Sequence, residues 1–176
     1  MMNFAGKTAV VTGGSRGIGR AICEELARGG ANVVLCYAGR AEAAQETVTA
    51  CEDLGAKALA VQCNVADEAQ VKALMDAAVK EFGRIDILVN NAGVCRLGNF
   101  LDMSDEDRDF HIDINIKGVW NVTKAVLPEM IARKDGRIVM MSSVTGDMVA
   151  DPGETAYALS KAAIIGLTKS LAVEYA

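Results

Sequence analysis

The chain has 176 residues, of which 51% are hydrophobic and 23% charged, and its formal net charge is −5. This length predicts one domain over residues 1–176 and excludes a two-domain enzyme, while the composition is that of a folded protein with a core. The negative charge argues against nucleic acid as a partner, because phosphate backbones are bound by clustered lysine and arginine side chains. Any phosphate that the protein binds is therefore expected on a small ligand.

The cysteines are odd in number and lack C-x-x-C spacing, so they predict neither a disulfide framework nor a zinc site. No basic targeting region precedes Gly6, and no uninterrupted apolar stretch is long enough to cross a bilayer. We therefore expect a cytoplasmic protein with reduced thiols and no membrane partner. The cysteines are Cys23, Cys36, Cys51, Cys63 and Cys95.

Short runs rich in valine, isoleucine and leucine alternate along the chain with longer segments of helical spacing. The strand-like runs are almost continuously apolar, which is typical of a parallel sheet with helices on both faces. The predicted class is therefore α/β, with a doubly wound parallel sheet. The predicted strands are Lys7–Thr12, Ala31–Tyr37, Ala56–Cys63, Ile85–Asn90 and Arg137–Ser142, and the predicted helices are Gly17–Arg28, Ala41–Leu54, Asp67–Phe82, Asp113–Arg133 and Thr155–Tyr175.

A glycine-rich segment, TGGSRGIG at residues 12–19, follows the first predicted strand and opens the first helix. Glycine at position 13 permits a tight turn, and glycines at 17 and 19 let the backbone and helix approach a pyrophosphate. The helix amino terminus offers free N–H groups and a favourable dipole to that group. A turn without a ligand is the alternative. The predicted dinucleotide contacts here are Gly13, Ser15, Arg16, Gly17, Ile18 and Gly19.

The end of the second strand predicts which dinucleotide is preferred. A site for NAD places an acidic residue there to bind the ribose hydroxyls, but this strand ends at Tyr37 and continues Ala-Gly-Arg. No carboxylate repels a 2′-phosphate, and Arg16 and Arg40 are both placed to pair with one. We therefore expect NADP(H) to be preferred over NAD(H), with Tyr37 and Arg40 among the residues that bind it. For Arg40, a solvated position at the start of a helix is an equally good interpretation.

Tyr157 and Lys161 are four residues apart in the last predicted helix and therefore lie on one helical face. An ammonium group beside a phenol stabilises the phenolate, which suits general acid or base catalysis. Taken alone, such a pair is more often a structural feature of a helix than a catalytic one.

These features occur together with three further motifs in a fixed order along the whole chain. They are NNAG at residues 90–93, Asn115 within a helix, and the serine pair at 142–143. Together the motifs resemble the short-chain dehydrogenase/reductase family. The resemblance implies a Rossmann-like fold and hydride transfer between a nicotinamide cofactor and a small carbonyl or alcohol substrate.

The resemblance assigns catalytic roles to Asn115, Ser143, Tyr157 and Lys161. Ser143 is expected to hold the substrate oxygen and Tyr157 to protonate it, so that both donors stabilise the developing charge. Lys161 is expected to bond the nicotinamide ribose, and Asn115 to hold a water that links Lys161 to solvent. The neighbouring Ser142 is expected to be structural, with its hydroxyl pointing the other way.

The resemblance also assigns the adenosine side of the cofactor site. Asn91, Ala92 and Gly93 are expected beside the adenine ribose, and Asn64 and Val65 beside the adenine. Asn64 stands where the family more often has aspartate, and its amide oxygen can still accept a hydrogen bond.

The single histidine, His111, fits no base or metal constellation, and we expect a partly exposed helix residue.

The two halves of the chain resemble different family members. Residues 1–93 look most like bacterial 3-oxoacyl-[acyl-carrier-protein] reductases, whereas the remainder looks like another bacterial oxidoreductase of the family. Either a divergent sequence or a recombined one would give this pattern. Reduction of 3-oxoacyl thioesters is therefore one candidate activity.

The family pattern continues beyond the last helix of this chain, with a sixth strand, a substrate loop and a seventh strand. The resemblance therefore leaves alternatives open for the chain itself, namely a dinucleotide-binding fragment without catalysis or a structural subunit. For the full-length parent it implies a homodimer or homotetramer.

Overall fold

A computed structural model describes residues 3–175 of the chain. Met1, Met2 and Ala176, at the ends of the predicted domain, lie outside the described residues. The strands are β1 (Thr8–Thr12), β2 (Asn32–Tyr37), β3 (Ala58–Gln62), β4 (Ile87–Asn90) and β5 (Arg137–Met140). The helices are α1 (Gly17–Arg28), α2 (Ala41–Asp53), α3 (Glu68–Phe82), α4 (Asp105–His111), a π-helix (Ile112–Lys117), α5 (Gly118–Arg133) and α6 (Thr155–Tyr175).

The five strands form one sheet in the order β3-β2-β1-β4-β5, and every pairing is parallel. The central strand β1 places Val10 opposite Val34 of β2 and Leu88 of β4. Each strand is within two residues of its predicted bounds at either end. The predicted α/β class, with a Rossmann-like doubly wound parallel sheet, is confirmed.

Alternation along the strands divides the core between the two faces of the sheet. Val10 of β1 belongs to a buried cluster with Val71 of α3 and Val122 of α5. Its neighbour Val11 belongs to a second cluster with Cys23 of α1. Successive strand residues point to opposite faces, and helices cover both faces, so every position of β1 is buried, as the continuous apolar runs predicted.

The helix that precedes α5 begins earlier than predicted. We expected one helix from Asp113, but α4 starts at Asp105 and continues through the π-helix into α5. Ser104 caps α4, because its hydroxyl accepts the Asp107 N–H at 3.1 Å. A serine followed by three acidic residues in the first turn is a helix-start signal that we did not use.

The expectation of a partly exposed His111 is wrong. Its side chain is fully buried where α4 joins the π-helix, and both ring nitrogens are hydrogen-bonded. The backbone of the loop after β4 supplies one of these partners, which no pattern of polar and apolar residues in the sequence reveals.

Helix α6 is long and apolar enough to cross a membrane by length and composition alone. Core helices of soluble proteins share that property, and α6 contacts the π-helix and α4. It carries both members of the tyrosine–lysine pair.

Candidate active site

The candidate site lies at the carboxyl edge of the sheet, where the strand order reverses between β1 and β4. Thr12, the last residue of β1, joins the two strands there. Its buried hydroxyl accepts the backbone N–H groups of Asn91 and Ala92, both at 2.9 Å. The Asn91 side chain returns the contact, since its amide donates to the carbonyls of Thr12 at 2.9 Å and Gly13 at 3.1 Å. The Asn91 side chain therefore holds the glycine turn in place through direct hydrogen bonds.

Two glycines of the turn are required by close approach. Gly13 has a φ of 64°, and a Cβ there would lie 3.0 Å from the Cα of Ala92. A Cβ on Gly19 would lie 2.2 Å from the Gly13 carbonyl oxygen and 2.6 Å from the Asn91 amide nitrogen. The two contacts at Gly19 are shorter than any Cβ tolerates, and Gly13 combines a tight contact with a positive φ, so both positions favour glycine.

The remaining predicted residues of the turn differ in exposure. Ser15 is buried, and its carbonyl accepts the Thr47 hydroxyl of α2 at 3.1 Å. Arg16 is the N-cap residue of α1, and its side chain makes no capping hydrogen bond. The first-turn N–H groups of a helix lack intrahelical partners, so this end of α1 presents donors suited to a pyrophosphate. Arg16, Gly17 and Ile18 are exposed.

The end of β2 also has the predicted arrangement. Tyr37 is half-buried as the last strand residue, and Arg40 is exposed as the N-cap residue of α2. No carboxylate lies between them in the sequence. Two guanidinium groups, those of Arg16 and Arg40, are therefore exposed at this edge without an acidic residue at the strand end.

The residues expected at the adenine follow β3. Asn64 is exposed, and its amide oxygen accepts the Ala66 N–H at 3.1 Å. Val65 is buried, and its carbonyl accepts the side-chain amide of Asn121 at 3.2 Å. Asn64 can still offer a second lone pair of the same oxygen, whereas the Val65 side chain packs into the protein.

Lys161 and Asn115 meet beside the loop that follows β4. The side chain of Lys161 is only 5% exposed, and its ammonium donates to the Met141 carbonyl at 2.8 Å. A Cβ on Gly93 would lie 3.5 Å from both the Lys161 Nζ and the Asn115 Oδ1. Burial lowers the pKa of Lys161. The sheet edge thus holds a buried amine with donors left over from its protein contact.

Asn115 is fully buried in the π-helix and has few free hydrogen-bonding positions. Its amide donates to the Val94 carbonyl and to the Ser160 hydroxyl, both at 2.9 Å, and its oxygen accepts the Val94 N–H at 2.8 Å. A water at this side chain would reach only the second lone pair of Oδ1. The water-holding role therefore stays a prediction.

Tyr157 and Ser143 approach the same edge from α6 and from the turn after β5. The Tyr157 ring centroid lies 5.6 Å from the Lys161 ammonium, so the two share a helical face as predicted. Ser143 is half-buried, and its hydroxyl accepts the Thr145 N–H at 3.1 Å. Ser142 instead donates to the Lys161 carbonyl at 2.8 Å, in keeping with a structural role.

Two residues that the sequence analysis missed help to position these groups. The Ser160 hydroxyl accepts from Asn115 and donates to the Tyr157 carbonyl at 2.7 Å, so it links the π-helix to α6. Gly146 has a φ of 94°, and a Cβ there would lie 2.3 Å from the Ala158 carbonyl oxygen. Its place in a Thr-Gly-Asp turn was a usable signal, whereas nothing in the sequence marks Ser160.

Residues 7–176 match the family model described as short chain dehydrogenase. The chain belongs to the short-chain dehydrogenase family. It is 67% identical to the oxidoreductase UcpA of Salmonella typhimurium over all of this chain and 66% of that protein. It is 45% identical to the 3-oxoacyl-[acyl-carrier-protein] reductase FabG of Staphylococcus aureus, over 97% of this chain and 69% of the relative.

A solved structure of a short-chain dehydrogenase/reductase mutant from Serratia marcescens is also similar. It superposes with a TM-score of 0.90 at 38% identity, over 98% of this chain and 69% of that chain. The chain therefore spans about two thirds of the length of these short-chain dehydrogenase relatives, and each match extends through both of its halves.

Proposed function

We propose that this short-chain dehydrogenase is an NADP(H)-dependent oxidoreductase of the cytoplasm, which interconverts a small carbonyl compound and its alcohol. The single observation that carries the proposal is the buried Lys161. Its ammonium uses one hydrogen bond, to Met141, among the contacts of the described residues, and lies next to the backbone of Gly93 and the amide of Asn115. A buried ammonium with unused donors needs a polar partner, and ribose hydroxyls are suitable ones.

The residues of this edge fit the dinucleotide in two further ways. The glycine turn leaves no room for a Cβ at Gly19, and it leads into a helix end with free N–H donors. The cofactor supplies or receives the hydride when bound. Gly13–Gly19 would hold its pyrophosphate, and Asn64, Asn91, Ala92 and Gly93 would flank its adenosine.

The chain's own residues would transfer the proton to and from the substrate oxygen. Tyr157 would donate a proton to the carbonyl oxygen in reduction and take it back in oxidation, while Ser143 would bond the same oxygen. The Lys161 ammonium, held by the Met141 carbonyl, would stabilise the phenolate of Tyr157 and bind the ribose. Asn115 would fix the position of Lys161 and Tyr157 through the Ser160 hydroxyl.

The two exposed arginines support NADP(H) over NAD(H). The FabG relative is named as a 3-oxoacyl-[acyl-carrier-protein] reductase, so 3-oxoacyl thioesters are the first substrates to test beside simple ketones. We further propose a homodimer or homotetramer in the full-length parent. Helices α5 and α6 present exposed apolar side chains suited to such contacts, among them Trp120 and Leu159.

The function is tested by replacing Tyr157 with phenylalanine, which removes only the hydroxyl. We expect carbonyl-dependent NADPH oxidation to fall about 10²–10⁴-fold, because general acid–base catalysis contributes about that much. NADPH affinity, measured by fluorescence titration, should change by less than about twofold, because the proposed pyrophosphate contacts remain. Loss of NADPH binding would instead indicate a structural role for the hydroxyl.

A matched control is Tyr175→Phe at the exposed end of the same helix, which should retain full turnover. Unchanged turnover in Tyr157→Phe would refute the catalytic assignment. NADPH binding without turnover by the unaltered chain would favour a dinucleotide-binding protein over an enzyme.

A further inference from the structure

The hydrogen bonds of His111 define its protonation state. The backbone N–H of Arg96 donates to Nε2 at 3.0 Å, so Nε2 must carry a lone pair. Nδ1 lies 2.7 Å from the Asp107 carbonyl oxygen, which can only accept, so Nδ1 must carry the proton. A charged ring would place an N–H against the Arg96 N–H. The arrangement therefore requires the neutral Nδ1–H tautomer in a fully buried side chain.

His111 and Asn115 bind the same stretch of loop. Asn115 holds Val94 through two hydrogen bonds, and His111 holds the N–H of Arg96, two residues further along. The two side chains therefore hold alternate residues of the loop that follows β4.

The Arg96 side chain makes further contacts with α4, the helix that carries His111. Its guanidinium pairs with the Asp107 carboxylate at 2.6 Å and lies 4.0 Å from the Phe110 ring centroid. The pairing with Arg96 lowers the pKa of Asp107. These contacts are more exposed than His111, and an exposed ion pair contributes little by itself. The hydrogen bond from the Arg96 backbone to the buried His111 ring is therefore the stronger constraint on the loop.

We propose that His111 is a positioning residue for the site. As the neutral Nδ1–H tautomer it fixes the backbone at Arg96, and through the short segment to Val94 it sets the orientation of the Asn115 amide beside Lys161. Its effect on turnover rests on the proposed function, whereas its effect on the Asn115 amide does not.

The first test uses the fact that His111 is the only histidine of the chain. The untagged protein, labelled with ¹⁵N, gives one pair of ring nitrogen signals. We expect Nδ1 to be protonated and Nε2 unprotonated at neutral pH. An Nε2–H tautomer or a charged ring would overturn the proposal, whether or not the protein is an enzyme.

The second test removes the two partners separately. Arg96→Pro deletes the backbone donor, and its control Arg96→Ala keeps that donor while deleting the guanidinium. His111→Leu deletes the acceptor, and His111→Gln offers one in its place. The readouts are hydrogen exchange of the Asn115 side-chain amide, assigned by its loss in Asn115→Asp, and kcat and KM with a carbonyl substrate.

We expect amide exchange to quicken about tenfold in His111→Leu, and also in Arg96→Pro relative to Arg96→Ala, in line with the loss of one hydrogen bond at a buried side chain. The value of kcat should fall about tenfold with little change in the KM for NADPH, and His111→Gln should recover part of the loss. Unchanged Asn115 exchange in both His111→Leu and Arg96→Pro would overturn the proposal. Altered exchange in a chain without turnover would support it and count against the proposed function alone.

Discussion

At the scale of single residues, the proposed preference for NADP(H) rests on two charged side chains at the carboxyl ends of the strands. Arg16 and Arg40 each stand at the N-cap of a helix that starts from this edge, and both side chains are exposed. A guanidinium group forms a bidentate, charge-assisted pair with a phosphate, but has no such partner in a ribose 2′-hydroxyl. The two arginines can therefore favour NADPH without improving the binding of NADH.

We predict that Arg16→Ala and Arg40→Ala each raise the Kd for NADPH about tenfold, because a hydrogen bond to a charged group contributes about 1.5–3 kcal/mol. The Kd for NADH should change by less than about twofold. Fluorescence titration with both cofactors measures this, with Arg28→Ala at the other end of α1 as the control. Equal losses for the two cofactors would contradict a 2′-phosphate contact.

At the scale of elements, regular features of the fold could be predicted from the sequence. Apolar runs located the five strands, and glycine spacing located the turn before α1, because both depend on local patterns. The start of α4 has a local signal at Ser104 that we did not use, whereas the π-helix and the burial of His111 could not be derived in the same way. They depend on pairing between a helix face and the loop after β4, two segments that local patterns do not connect.

Replacing glycine with alanine should weaken NADPH binding at position 19 in α1 but increase stability at position 166 in α6. Gly19→Ala would place a Cβ against the Gly13 carbonyl, so we expect a displaced turn and a weaker affinity for NADPH. Gly166 lies inside α6 with nothing within 4 Å of its Cβ position, so Gly166→Ala should raise the free energy of unfolding by about 0.5–1 kcal/mol. Urea unfolding and NADPH titration of both variants check this. A destabilised Gly166→Ala would show that α6 packs more closely there than the structure indicates.

At the scale of the whole molecule, one acidic residue links the amino-terminal ends of three strands, on the side of the sheet opposite the candidate site. Asp86, just before β4, is only 3% exposed, and its carboxylate accepts the Thr8 N–H at 2.9 Å. It also pairs with Arg84 and with Lys7, and its backbone carbonyl accepts the Arg137 N–H at 2.9 Å. One residue thus joins the starts of β1, β4 and β5, while the loops of the candidate site leave from the other ends of the strands.

Burial raises the pKa of Asp86, but the Thr8 N–H, Arg84 and Lys7 outweigh burial and hold the pKa below its ordinary value. A carboxyl group with a depressed folded-state pKa contributes stability above its unfolded pKa of about 3.9, and that contribution is lost as the pH falls through the folded pKa. We therefore predict that Asp86→Asn lowers the free energy of unfolding by about 1.5–3 kcal/mol at pH 7. The deficit should shrink below about pH 4.

Urea unfolding at a series of pH values measures this deficit, and Asp76→Asn, which removes the same charge from an exposed position on α3, is its control. The NADPH affinity of Asp86→Asn should match that of the unaltered chain, because the carboxylate lies at the opposite edge of the sheet from the candidate site. A deficit that grows as the pH falls would mean that the folded protein favours the protonated form of Asp86. A loss of NADPH affinity would mean that strain at one edge of the sheet reaches the glycine turn at the other.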